Sequence, residues 1–439
     1  MDNLYGCIRF ENLFFYYNIQ NIFTLFYYRK IMLSNTINRF RNQNRYPLQF
    51  WMLNLGSFIN SVGSTMIWPF IIIFFRNQLG ISMLQASSLL TIKSIASILS
   101  ALIAGSLADR FGRKRIMVFS LISAGLVYFL YIPKHPYLIY AVLMALSGLV
   151  EPMYRVGSTA MVADMLPEES RAGGYALQRM VTNIGLTIGP VLSGILILRS
   201  YALMFSISAS CLIVFSLFIF FFIKETLVSQ NAESEVKERK EQENYLTILK
   251  NVPFMIFSSS LFLTMACSVP AFINLTAYAN ENFGIPESQL SLVMTTNALM
   301  VIVFQFSVTR ITEKYNTKRV LTIGGIFYAM GTGSIVFGST LWAFILSMII
   351  LTIGEMIYMP TSTTMAANMA PLHLRGRYMS IYNLAIELAV GVGPVLAGYL
   401  NDFLFPKAIW IGCMLLALLA IPGNYAIKYW GKGVAEKAA

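Results

Sequence analysis

Charge is what this sequence has least of. Only 12% of its 439 residues are Asp, Glu, Lys or Arg, about half of the roughly 25% usual in soluble domains, which excludes a water-soluble globule of this size. Histidine is nearly missing. His135 and His373 are the whole supply, so a histidine-dependent active site has almost no material. Cys7, Cys211, Cys267 and Cys413 show no metal-ligand spacing, and the last three sit in apolar runs. Neither a zinc site nor a disulfide framework is indicated, and they read as small apolar residues. The sequence also has no Walker loop, no HExxH and no GxSxG segment, which argues against ATP-driven pumping by this chain alone.

What is present is apolar. Hydrophobic residues make up 56%, including 32 Phe, 23 Tyr and 5 Trp, and the mean hydropathy is +0.64, which excludes a disordered chain. Membrane embedding remains. A spanning helix takes about 20 residues, and apolar runs bounded by charge predict twelve: 48–75, 83–104, 116–132, 137–162, 173–197, 201–223, 253–278, 289–309, 320–337, 341–366, 377–400 and 407–428. The fold class expected is an all-α integral membrane protein. A Glu- and Lys-rich run (ESEVKERKEQEN) separates the sixth span from the seventh. The organisation expected is therefore a 1–47 extension, a 48–223 six-helix bundle, a 224–252 linker, a 253–428 six-helix bundle and a 429–439 tail.

Lysine and arginine orient the bundle. Of the 32, 25 fall on the side that holds both termini, while Arg76, Lys134, Arg199 and Lys407 fall on the other and three lie within spans. The positive-inside rule then places both termini, and the linker, in the cytoplasm. The net charge of +12 is mostly this topology signal, and no nucleic-acid partner is needed. The aromatic stretch ahead of residue 47 is interrupted by Asn12, Asn18, Gln20 and Asn21 and is no signal peptide. An interfacial helix and a translation start at Met32 are equally compatible with it.

Shifting the chain by 204 residues superposes its halves. Asp109, Arg110, Phe111, Lys114 and Arg115 fall on Glu313, Lys314, Tyr315, Lys318 and Arg319, and Glu151, Ser158, Met161, Pro167, Arg171, Gly189, Pro190 and Gly194 fall on identical residues. One ungapped offset over about ninety residues argues for duplication. Each copy has an even number of spans, so the copies run parallel, with a substrate site expected between them near mid-membrane.

Three stretches carry a family resemblance. GSLADRFGRKR, with Gly105, Asp109, Arg110, Gly112, Arg113 and Lys114, resembles the signature between the second and third helices of the major facilitator superfamily. Gly185, Gly189, Pro190 and Gly194 in the fifth span resemble the motif of that superfamily's antiporters, including its proton-coupled drug exporters. Gly354, Glu355, Tyr358 and Pro360 are similar to the tenth helix of the lactococcal multidrug exporter. The resemblance covers about 48–428 and implies a 12-helix drug:proton antiporter with two parallel repeats. It further implies alternating access, a proton gradient as energy source with no cofactor, and a monomer in a bacterial plasma membrane whose partners are lipid, small-molecule substrate and protons. It also implies that the Asp109 segment latches the second helix to the eleventh in the outward-open state. One departure is that drug exporters often carry an arginine before the glycine of the fourth helix. Here that stretch reads Met144, Ala145, Leu146, Ser147, Gly148, leaving Arg155 and Arg179 as the nearby cations.

The residues have their own physical reading. Glycines in the 105–115 segment suit a tight loop, and Asp109 suits an arginine or a helix amino terminus. The glycines from 185 to 194 suit either a packing seam or a bend at Pro190. Six charges lie inside predicted spans: Lys93, Glu151, Arg155, Arg179, Glu355 and Glu387. Each costs about 2.5–3.5 kcal/mol at bilayer centre on the insertion scale, so each is expected to face the interior and find a partner. The three acids and three bases can neutralise one another, Glu151 and Arg155, one turn apart, can pair on one face, and Arg179 could instead reach the headgroups. The acids are the candidate proton carriers, with Glu151 and Glu355 in equivalent places. A metabolite symporter or uniporter of the same fold is the alternative, and a non-transporting scaffold is disfavoured by the interior charges.

Overall fold

The computed structural model describes residues 46–226, 248–371 and 374–426. The expected extension, most of the linker, the tail and His373 lie outside them. Twelve long helices run through the described residues: α1 (Leu48–Leu79), α2 (Met83–Phe111), α3 (Arg113–Leu130), α4 (Tyr137–Met165), α5 (Glu168–Ile197), α6 (Tyr201–Phe222), α7 (Val252–Phe283), α8 (Glu287–Thr312), α9 (Thr317–Ser334), α10 (Leu341–Met369), α11 (Arg375–Phe403) and α12 (Ala408–Ala426). Eleven are long and apolar enough to cross a membrane. The other, α3, has 18 residues and opens on Arg113, Lys114 and Arg115, which leaves its apolar part the shortest of the set.

Helix starts follow from local capping. Ser82 and Gln85 form a reciprocal capping box at α2, and the Asn251, Asn316, Ser200 and Thr340 side chains accept from the first amides of α7, α9, α6 and α10, each satisfying a donor that the helix leaves open. Helix α1 is broken after Thr65 by a 3-10 turn at Trp68–Phe70 containing Pro69.

The duplication is visible in the backbone. At an offset of 204, the ends of α1, α3 and α4 coincide to the residue with those of α7, α9 and α10. Gly80 and Gly284, a further equivalent pair, close α1 and α7 in the left-handed conformation at φ 67° and 65°. Helix α2 packs on α11 and the equivalent α8 packs on α5, so the two crossings between halves repeat each other.

The segment from Gly105 to Arg115 is not the loop that its composition suggests. Helix α2 continues through Phe111, Gly112 alone turns the chain, and α3 begins at Arg113. Gly112 has φ 97°, a conformation that only glycine adopts readily. Gly105 is helical with open space where a Cβ would stand, so it serves no turn.

Gly112→Ala is therefore expected to lower the detergent melting temperature by a few degrees, since its methyl costs about 1–2 kcal/mol of backbone strain and would overlap the Glu225 carboxylate. Gly105→Ala is expected to leave the melting temperature unchanged or raise it, because a glycine inside a helix costs about 0.5–1 kcal/mol relative to alanine. Equal effects of the two substitutions would contradict the assignment of the turn to Gly112.

Candidate functional site

Lys93, Glu151, Arg155, Arg179, Glu355 and Glu387 all lie well inside long helices, and all six line one of two cavities between the halves. A cavity of about 480 Å³ holds Lys93, Glu151 and Arg155. A second, of about 770 Å³, holds Glu355. Arg179, Glu387, Trp68 and Thr65 line both, so the two are neighbouring lobes of one central space.

The first lobe is built on an ion pair. Lys93 Nζ lies 2.7 Å from Glu151 Oε2 and 3.0 Å from Oε1, the Tyr128 hydroxyl donates to Oε1 at 3.1 Å, and the ammonium sits 4.4 Å above the Trp68 ring, a favourable place for a cation. The close approach of α2 to α4 depends on Gly148, whose hydrogen faces the Lys93 carbonyl where a Cβ would overlap it. The sequence allowed Glu151 to pair with Arg155 one turn away. Instead Lys93 reaches it across the helix interface, and Arg155 extends to Glu387 of α11 at 3.4 Å.

The second lobe keeps the acid but changes its surroundings, with Thr332 and Phe272 at the positions equivalent to Tyr128 and Trp68. The residue 204 positions after Lys93 is Asn297, and its Nδ2 donates to Glu355 Oε2 at 2.7 Å and to Thr352 Oγ1 at 3.0 Å. An acid is held by an amide where its counterpart is held by an ammonium. Among the described residues Glu355 has no cation within ion-pair distance. Asn297 was not among the sequence candidates, although adding 204 to Lys93 would have found it.

Arg179 stands in the lining of both lobes with no ion pair or hydrogen bond among the described residues. Helix α5 begins at Glu168, so Arg179 is deeper in its helix than the apolar run suggested, and it faces the cavity rather than a headgroup. Gly185 and Gly189 pack against Ser61 and Thr65 of α1, Gly194 against Ser291 of α8, and Pro190 lines the larger lobe. These glycines form the packing seam that lets α5 touch helices of both halves.

The two ends of the bundle differ. At the end bearing Gly80, the halves are joined by Arg76–Glu281 at 2.5 Å, by the Leu84 amide donating to Asp402 at 2.8 Å, and by the Tyr201 hydroxyl donating to Glu287 at 2.8 Å. Toward the other end, Ala101, Ser106 and Asp109 of α2 are exposed. Asp109 is 64% exposed and lies 3.4 Å from Arg113 of the next helix. The carboxylate at the α3 amino terminus is Glu225, accepting from the Arg113 and Lys114 amides at 3.1 Å each, while Arg113 pairs with Asp164 at 2.7 Å. The Arg110 and Lys114 side chains lie over the rings of Phe111 and Phe220. The sequence pointed to Asp109 for the helix terminus, and Glu225, beyond α6, gave no signal of that role.

A family model described as Major Facilitator Superfamily matches residues 53–280 and again 259–432. A Na(+), Li(+), K(+)/H(+) antiporter of Planococcus maritimus is 24% identical over 392 residues, covering 82% of this chain and 89% of that protein. The quinolone resistance protein NorA of Staphylococcus aureus (strain COL) is 20% identical over 379 residues, covering 85% and 95%. Among solved structures, that of the nucleoside transporter NupG superposes with a TM-score of 0.70 at 11% identity, covering 88% of this chain and all of that one.

The two equivalent acids should differ in their effect on stability. Glu151→Gln leaves Lys93 beside a neutral amide, at a cost bounded by the about 3–5 kcal/mol of a fully buried pair and reduced because the cavity admits solvent to both partners. Glu355→Gln strands no cation. Glu151→Gln is thus expected to lower the detergent melting temperature clearly more than Glu355→Gln, and the reverse order would contradict the pairing.

Proposed function

The chain belongs to the Major Facilitator Superfamily, and from that premise we propose that it exports lipophilic compounds in exchange for protons by alternating access. It is a membrane-embedded transporter and not an enzyme. The observation that supports proton exchange is the contrast between the equivalent acids. Adding a proton to Glu151 would leave Lys93 uncompensated, whereas a proton on Glu355 strands nothing, because its partner is the Asn297 amide. Glu355 also lines the larger, mostly apolar lobe, so a cationic group on the cargo and a proton compete for one carboxylate. That competition couples the two movements. The printed names of the Planococcus antiporter and the staphylococcal resistance protein agree with this chemistry, which for this chain is part of the proposal.

On the orientation given by the lysine and arginine count, both termini lie in the cytoplasm of a bacterial cell, the central space opens inward, and Arg76–Glu281 closes the outer end. Asp109, loosely held in this state, is free to meet α11 when the inner end closes. The proton gradient is the whole energy supply, one chain suffices, and no cofactor takes part.

The test uses proteoliposomes with an imposed pH gradient. The wild-type protein is expected to accumulate a lipophilic cation against its own gradient, and Glu355→Gln to lose that accumulation while still exchanging the compound downhill. Undiminished proton-driven accumulation by a well-expressed Glu355→Gln protein would overturn the assignment.

A further inference from the structure

The central space is electrically lopsided in a way that the duplication makes plain. Its first-half wall carries Lys93, Arg155 and Arg179 against the single acid Glu151, while its second-half wall carries Glu355 and Glu387 and no base. The equivalents of the first-half cations are Asn297, Met359 and Asn383, all neutral. One wall is net basic and the facing wall net acidic. Part of this is settled internally, because Lys93 is matched by Glu151 at 2.7 Å and Arg155 reaches across to Glu387 at 3.4 Å. What remains is one charge on each side, Arg179 on α5 and Glu355 on α10. Both line the 770 Å³ lobe, and neither has an oppositely charged side chain within 4 Å among the described residues.

We propose that this lobe takes amphiphiles carrying a positive and a negative group on one molecule, the cation against Glu355 and the anion against Arg179. A charge at membrane depth calls for a partner, and a cargo with only a cation would satisfy Glu355 while leaving Arg179 without one. A cargo with both charges satisfies the two walls at once and enters as a neutral species. Arginine suits the anionic end because its planar guanidinium can bind a carboxylate or phosphate through two parallel donors. Phe272, Met294 and Met359 line the same lobe and suit an adaptable apolar body. The volume lies within the range of about 300–1,000 Å³ typical of small-molecule sites. This inference rests on the cavity being the substrate site.

The probes are rhodamine B, which bears a fixed cation and a free carboxylate, and its ethyl ester, in which the carboxylate is blocked. Binding is read by fluorescence anisotropy with the full chain in nanodiscs, against empty nanodiscs, with no pH gradient. The readout is the ratio of the ester's Kd to the acid's Kd, which cancels changes that affect both dyes alike. Arg179→Gln is expected to lower that ratio about tenfold, the loss of one charge-assisted contact. Arg179→Lys is expected to keep it within about threefold of wild type, because a lysine still offers a point charge. Glu355→Gln should weaken both dyes together and leave the ratio unchanged. A ratio indifferent to Arg179→Gln would overturn the proposal, as would a loss of ratio in Glu355→Gln alone. Proton exchange stands or falls separately, since a protein with the expected ratios that fails to accumulate dye under a pH gradient would sink only the exchange mechanism.

Discussion

A charge carried into a lipid-surrounded bundle has to be answered by something close to it, and the interior of this protein is organised by how each of its mid-helix charges is answered. The cost of an unanswered charge explains why Lys93, Glu151, Arg155, Arg179, Glu355 and Glu387 all line the central space while the outward faces carry Leu102, Phe221 and Trp342. It also sorts them. Lys93 and Glu151 answer each other within the first half, and Arg155 and Glu387 do so between halves. Arg179 has no ion pair or hydrogen bond among the described residues, and Glu355, the third arrangement, is answered only by an amide. The first two arrangements fix charge in place, and the third is the one on which the proposed proton exchange rests.

The duplication supplies two nearly identical scaffolds on which this difference is written. Helix ends coincide at one offset, left-handed glycines close α1 and α7, and the crossings α2 on α11 and α8 on α5 repeat each other. On the proposed exchange, the positions that matter are those where the copies diverge, above all Lys93 against Asn297 and Arg155 against Met359. Closure at the Gly80 end rests on contacts between unlike partners, Arg76 with Glu281 and the Leu84 amide with Asp402. On the proposed alternating access these part when the central space opens on that side, while the glycine seam at Gly185, Gly189 and Gly194 packs α5 against both halves.

The fold was largely legible because hydropathy and the 204-residue offset are properties of residue order alone. Every predicted span lies on a helix, within a few residues at most ends. The exception at α2 is instructive: GSLADRFG has the composition of a loop, yet the helix runs to Phe111 because only Gly112 adopts a backbone that ends it. The interior charges were also legible, since an ionised side chain in an apolar run stands out by type. Their pairings were not. Sequence distance favoured Glu151 with Arg155, but in the folded protein a lysine from another helix lies closer. Asn297 escaped notice because a neutral amide in a span is unremarkable until it is laid over Lys93, and Glu225 because nothing local joins the end of α6 to the start of α3.

The most direct test of the central claim is to give the second half the cation that the first half has. Proton release is measured when a lipophilic cation binds to the protein in weakly buffered detergent, for the wild type and for Asn297→Lys. The account predicts about one proton released per cation bound by the wild type. It predicts almost none from Asn297→Lys, whose new ammonium would hold Glu355 ionised in the manner of the Lys93–Glu151 pair. Undiminished proton release by Asn297→Lys would contradict it.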